Sequence, residues 1–209
     1  MQSMEKFVID TNFFINLEIK SGFGKTAEEV LVSFTKMGDM LKKKKRAEFF
    51  MPPRVVDELA GFFEKKELIR AFLSIVSVKS PHISDIDFPA HVFYQLVEEM
   101  RARSYRGLRI AEEGVVLAGK KTTGREFAKK QEFEQAIGEV TKGLRERYRQ
   151  ATRFNFLDSV ADLDLIVLSR ELDAFLVSSD EGVLRWGRIF GAKEMSPTFF
   201  KDRLAALLS

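Results

Sequence analysis

The chain has 209 residues, 45% of them hydrophobic and 20 of them phenylalanine, enough for one domain with a substantial core and room for an insertion. Its 34 basic and 31 acidic side chains leave a net charge of +3, too small by itself to name a partner. Cysteine is absent, which excludes a disulfide framework, a thiolate zinc site and a cysteine nucleophile; the two histidines, His82 and His91, stand outside any motif, which argues against histidine acid–base chemistry.

The opening MQSMEKFVIDTN enters an apolar run at once, with no signal-like segment before it. No later run approaches the roughly 18 apolar residues of a membrane span, so the expected setting is cytoplasmic, with no membrane partner. Lys6 to Ile9 reads as a short buried strand ending at Asp10-Thr11-Asn12. A helix is expected over 25–42, then a strand over 48–51 stopped by Pro52-Pro53, which suit the start of a helix running to Phe63. Residues 67–79 read as a further helix leading into a Ser/Pro/Asp-rich connection that reaches Pro89. Two long helical patterns, 89–118 and 124–153, joined by GKKTTG, predict a helical hairpin. A helix follows from Asp158 to Leu172, then the apolar strand 174–177, a short helix, a strand at 193–195 and a terminal helix from Pro197. Strands that are apolar on both faces and alternate with helices predict an α/β fold, a parallel sheet flanked by helices. The expected division is an α/β domain of residues 1–87 and 154–209, interrupted by the hairpin of residues 88–153.

The segment NFLDSVADLDLIVL places Asp158, Asp162 and Asp164 in surroundings apolar enough to be buried. Buried carboxylates are costly unless paired, hydrogen-bonded or bound to a cation. At about 100° per residue, Asp158 and Asp162 share a helix face, while Asp164 lies about 200° from Asp162. In open parallel sheets, ligands bind at the carboxyl ends of the strands, near the point where strand order reverses. Asp10 ends the first strand, and Asp180 follows the strand 174–177 after two serines. Convergence of Asp10, Asp158, Asp162 and Asp180 would create repulsion that Mg²⁺ or Mn²⁺ relieves, and such an ion can polarise a phosphoryl oxygen and activate water. Each acid also has an ordinary structural reading: Asp158 as a helix cap, Asp162 as a first-turn dipole partner, Asp180 as a turn residue.

VIDTN at 8–12 and LVSSDEG at 176–182, with the acidic helix between them, resemble the PIN-domain nucleases. That resemblance implies Mg²⁺- or Mn²⁺-dependent RNA hydrolysis, with support from Thr11 after the first Asp. It also implies a second acid on the helix after the second strand, Glu58 in PPRVVDEL, with Asp57 beside it as the other choice, and Glu181 as a further supporting acid. The whole chain is similar to one branch, the small RNA-free, protein-only RNase P enzymes of archaea and a few bacteria, once labelled RNA ligase partner proteins. The branch resemblance rests on FVIDTNFFIN, MPPRVVDEL, the inserted hairpin and DSVADLDLIVLSRELDAFLVSSDEG. It implies an endonuclease that removes the 5′ leader of precursor tRNA and assembles into a large homo-oligomer through its hairpin. Asp10, Asp158, Asp162 and Asp180 are then the expected metal-site residues, and Asp164, on another face of the helix, joins them in the catalytic set.

Independently, residues 120–153 hold ten basic and five acidic side chains, a net +5 that leaves −2 for the remainder. Lys142, Arg145, Arg149 and Arg153 cluster on one helix face opposite an apolar stripe of Ile137, Val140, Leu144 and Tyr148, an arrangement suited to RNA phosphates. The run Lys42 to Arg46 reads instead as a solvated helix end. On the first hairpin arm, Phe93, Leu96, Val97 and Met100 recur at helical spacing and predict burial against another subunit. Two other functions compete: a toxin-type PIN ribonuclease, against which the long charged hairpin counts, and a non-catalytic RNA-binding partner, against which the intact acids count. A phosphatase of the haloacid-dehalogenase type needs a second Asp where this chain has Asn12, and is dropped.

Overall fold

A computed structural model describes residues 4–18, 22–153, 156–157 and 159–209, the side chain of residue 153 excepted. In chain order, the described elements begin with β1 (Glu5–Ile9), α1 (Asn12–Ile15), α2 (Ala27–Lys43), β2 (Ala47–Met51), α3 (Pro53–Phe62), α4 (Lys66–Leu73) and β3 (Val76–Val78). They continue with α5 (His91–Thr122), α6 (Lys130–Arg153), α7 (Val160–Glu171), β4 (Phe175–Val177), α8 (Glu181–Phe190), β5 (Lys193–Met195) and α9 (Pro197–Leu208). The chain divides into two compact units, one of Met1–Pro89 with Leu157–Ser209, the other of Ala90–Phe156.

In the first unit, five strands form one parallel sheet in the order β3-β2-β1-β4-β5. The order reverses between β1 and β4, where Val8 pairs with Leu176 and Ile9 with Val177. These central strands are buried, which explains their unbroken apolar sequences. A phenylalanine cluster fills one side: the buried ring of Phe34 on α2 meets those of Phe13, Phe14, Phe49, Phe72 and Phe200 at centroid separations of 5.1–6.0 Å. Off-face contacts of this kind add to the area each ring removes from water.

Local chemistry sets the helix starts. Thr26 caps α2 by accepting from Glu29 N–H, Pro53 opens α3 at a position where its missing N–H costs nothing, and Ser196 caps α9 before Pro197. The lysine run behaves as a helix end: Lys42 Nζ donates to Ser74 O at 2.9 Å, Lys43 pairs with Asp39, and Lys44 Nζ donates to Leu208 O at 2.7 Å.

Three expectations about elements need correction. The helix expected over 67–79 stops at Leu73, and Val76–Val78 is instead the edge strand β3. Val76–Val78 continues the preceding helical pattern with no Gly or Pro to mark a break, and pairing with β2 decides the matter. Helix α5 runs on to Thr122 through Gly119, so the hairpin turn lies at 123–129 rather than 119–124. The short helix α1 was not anticipated, because four residues carry no period.

The second unit is an antiparallel pair, α5 and α6. Gly107 and Gly114 let the helices approach closely: a Cβ on Gly114 would overlap the Leu144 side chain, and one on Gly107 the Tyr148 ring. Leu144 and Tyr148 therefore form part of the face of α6 that meets α5. Arg106 Nε donates to Ala151 O, while Arg147–Glu113 and Lys121–Glu139 ion pairs flank the seam.

Candidate active site

Asp10 follows β1 directly, and its backbone N–H extends the sheet by donating to Val177 O at 3.0 Å. Its carboxylate is 4% exposed and is held by three donors. Ser178 Oγ donates to Oδ2 at 2.5 Å, Asn12 Nδ2 to the same oxygen at 3.3 Å, and Asn12 N–H to Oδ1 at 3.4 Å. All three are neutral. Burial pushes the Asp10 carboxyl up to about 6; the hydrogen bonds from Ser178 and Asn12 oppose that rise, and the charge of Asp180 adds to it.

Ser178 joins the two strand-end acids, because its Oγ also accepts from Asp180 N–H at 3.0 Å. Asp180 caps α8, with Oδ1 accepting from Val183 N–H at 2.9 Å. Thr11 is buried, and its Oγ1 lies 3.4 Å from both Val55 O and Glu58 Oε2, bringing α3 to the end of β1. Of the two neighbouring acids on α3, Glu58 is the one that contacts Thr11. Glu181 is exposed in the first turn of α8.

On α7, Ser159 and Asp162 form a capping box: Ser159 Oγ accepts from Asp162 N–H at 3.0 Å, and Asp162 Oδ2 accepts from Ser159 N–H at 3.2 Å. Asp164, two residues on, is buried and takes a different partner, with Oδ2 accepting from Arg54 Nη1 at 2.8 Å. The angular separation read from the sequence is thus real, and the burial of Asp164 is offset by a cation. Asp158 lies outside the described residues. Among the described residues, no three histidines, aspartates or glutamates stand together as a complete cation site. The chemistry of Asp10 nevertheless fits a hard divalent ion: a buried oxygen donor, neutral hydrogen-bond partners and a second acid nearby.

Sequence reasoning overlooked three partners of these acids: Ser178 and Asn12 beside Asp10, and Arg54 beside Asp164. Each lies inside a motif, in LVSSDEG, VIDTN and PPRVVDEL respectively, yet hydroxyls, amides and lone arginines are too common to single out without a partner. On α6, Lys142, Arg145 and Arg149 line a groove with Ile137 and Thr141. Arg153 ends that helix, and its side chain lies outside the described residues.

The PINc domain ribonuclease family matches residues 6–209. The chain is 36% identical over 203 residues to the RNA-free ribonuclease P of Thermodesulfovibrio yellowstonii, covering 97% of this chain and 95% of the relative. It is 35% identical over 205 residues to that of Pyrococcus horikoshii, covering 98% and 94%, and 35% identical over 198 residues to that of Halorhodospira halophila, covering 95% and 88%. With a switch-point acid pair on a five-stranded parallel sheet and a full-length match, the chain belongs to the PINc domain ribonucleases, within the group of RNA-free ribonucleases P.

Proposed function

We propose that this chain is a divalent-metal-dependent endoribonuclease that removes the 5′ leader of precursor tRNA without an RNA subunit. The observation that carries the reading is Asp10: a buried carboxylate with neutral partners, joined through Ser178 to Asp180 at the point where strand order reverses. The names of its full-length relatives supply the reaction.

PIN nucleases generally depend on divalent metals. Asp10 and Asp180 are proposed to hold Mg²⁺ or Mn²⁺, with Asp158 and Asp162 joining them once the ion is bound; the ion would supply charge stabilisation to the scissile phosphate and lower the pKa of the attacking water. The chain's own groups prepare that site. Ser178 and Asn12 fix the orientation of the Asp10 carboxylate, and Thr11 anchors Glu58 and α3 beside it. In-line attack by water on phosphorus breaks the bond to the 3′ oxygen of the leader, which takes a proton. The products are a 5′-phosphate on the mature tRNA and a 3′-hydroxyl on the leader.

Recognition of the tRNA body is assigned to the α6 ridge of Lys142, Arg145, Arg149 and Arg153, where positive charge concentrates. Self-association is assigned to α5. Phe93, Val97, Met100, Tyr105 and Leu108 are each more than half exposed, and Val97, Met100, Tyr105 and Leu108 line an apolar groove. A homo-oligomer covering this face would let a neighbouring hairpin set the distance between tRNA body and cut. The cytoplasm, where precursor tRNA is available, is the proposed location; among the described residues, no helix is long and apolar enough to cross a membrane.

The deciding experiment is incubation with a 5′-extended precursor tRNA and Mg²⁺, followed by mapping of the cut and its end groups. Cleavage at the mature 5′ end with a 5′-phosphate is expected, and Asp10→Asn should abolish it. Cutting at scattered sites, or none by the parent protein, would overturn the assignment.

A further inference from the structure

We infer that Arg54 binds an RNA backbone phosphate flanking the scissile bond, and that Asp164 serves it as a positioning residue. The inference rests on the nuclease reading above and adds a substrate contact to it.

Placement comes first. Arg54 stands in the first turn of α3, immediately after the carboxyl end of β2. The next residue, Val55, offers its carbonyl to Thr11, which adjoins Asp10. Glu58, one turn further along α3 on the same face, meets Thr11 as well. Arg54 therefore sits at the sheet edge where Asp10 and Asp180 emerge.

The second observation is an asymmetry within the ion pair. The Asp164 side chain is 12% exposed, whereas that of Arg54 is 61% exposed. One nitrogen, Nη1, is held at 2.8 Å by Asp164 Oδ2, and among the described residues Asp164 is the group that Arg54 bonds. A buried acid on α7 thus grips one corner of a guanidinium that is otherwise largely exposed. One N–H of Arg54 is enough to offset the buried Asp164 charge, and packing alone does not require the rest of the guanidinium to be this open. The pair does fix the plane of the fork, and a planar, permanently charged fork matches two phosphate oxygens at once.

The third observation is electrostatic. Asp10, Asp180 and Glu58 make this edge negative, and RNA phosphates approaching it are repelled. A cation with free donors, anchored at the rim, provides the opposing attraction. Asp164 thereby acts through Arg54 rather than as a metal ligand.

The test uses the full chain and four variants: Arg54→Gln, Arg54→Lys, Asp164→Asn and the double Arg54→Gln/Asp164→Asn, each checked for fold by circular dichroism. Precursor-tRNA affinity is measured in chelator across a salt series, and single-turnover cleavage across a Mg²⁺ series. Arg54→Gln should lower the log–log salt slope by about 0.7–0.9, the value of one phosphate contact. It should also slow cleavage ten- to a hundredfold at an unchanged half-saturating Mg²⁺ concentration. Arg54→Lys should restore the slope but only part of the rate, since an ammonium lacks the fork. Asp164→Asn should keep the slope and lose part of the rate, and the double variant should be no slower than Arg54→Gln alone. An unchanged slope in Arg54→Gln would overturn the phosphate contact. A raised Mg²⁺ requirement in Asp164→Asn, or additive losses in the double variant, would overturn the positioning role. If the parent leaves precursor tRNA uncut, the nuclease reading falls, while the salt slopes in chelator still decide whether Arg54 meets a phosphate.

Discussion

Replacing Asp10 with Asn should make the metal-free protein more stable while removing its activity. Burial raises the Asp10 carboxyl to about 6, so the folded state holds its proton more tightly than the unfolded chain does. The stability Asp10 contributes is therefore fully present below about pH 4 and lost as pH rises through about 6. A rise from the ordinary 3.8 to about 6 corresponds to about 3 kcal/mol of penalty at neutral pH. Asparagine is nearly isosteric and carries no charge. With its oxygen in the Oδ2 position it keeps the donors Ser178 Oγ and Asn12 Nδ2, and it loses the longer bond from Asn12 N–H. Loss of that bond costs about 1 kcal/mol, leaving a net gain of about 2 kcal/mol. For a chain of this size that is roughly 4–8 °C in Tm. Thermal melts in chelator at pH 7.5 and pH 4 measure it: the variant should melt higher at pH 7.5, and the gap should nearly vanish at pH 4. Mg²⁺ at a hundred times its dissociation constant should then stabilise the parent by about 2.7 kcal/mol and close the gap, with little effect on the variant. A variant less stable than the parent at pH 7.5, or an equal gap at both pH values, would refute the account of Asp10 as an uncompensated buried charge.

Replacing Arg145 and Arg149 with Ala should weaken precursor-tRNA binding and reduce its salt slope by about 1.4–1.8 if each contacts one phosphate; filter binding across a salt series checks this, and cleavage of a short single-stranded RNA should change far less. Glu171 behaves oppositely to Asp10: burial works against its charge, but bonds from Lys79 Nζ and from the backbone N–H and ring of His82 bring its pKa down to about 2. Its contribution is present above its ordinary range near 4.5 and fades as pH falls toward 2, so Glu171→Gln should cost about 1–2 kcal/mol at pH 7, read by urea titration, with a smaller loss near pH 3. Phe34→Ala leaves a cavity among buried rings, with an expected cost of about 3–5 kcal/mol at an unchanged urea slope. Light scattering should show an oligomer at micromolar concentration, and Val97→Asp with Met100→Asp should shift it toward the monomer.

The local order of elements was largely legible in the residues, because burial on both faces demands unbroken apolar runs and helices carry a 3.6-residue period. That is why β1, β2 and β4, the long hairpin arms and the separation of Asp162 from Asp164 could be anticipated, and why β3, which runs on from a helical pattern, and the four-residue α1 could not. Chain chemistry alone also marked Asp10 and Asp180 as strand-end acids. What it could not decide is which strand ends are neighbours. The parallel order β3-β2-β1-β4-β5 sets β1 against β4, so Ser178 reaches an aspartate 168 positions away. Packing of α7 against α3 likewise gives Asp164 its partner Arg54 across 110 positions. A carboxylate's pKa and role depend on what lies within a few ångströms, and a periodic pattern carries no information about groups that distant in the chain. The residues therefore named the acids, while only the tertiary structure decided which of them is buried among neutral donors and which is matched by a cation.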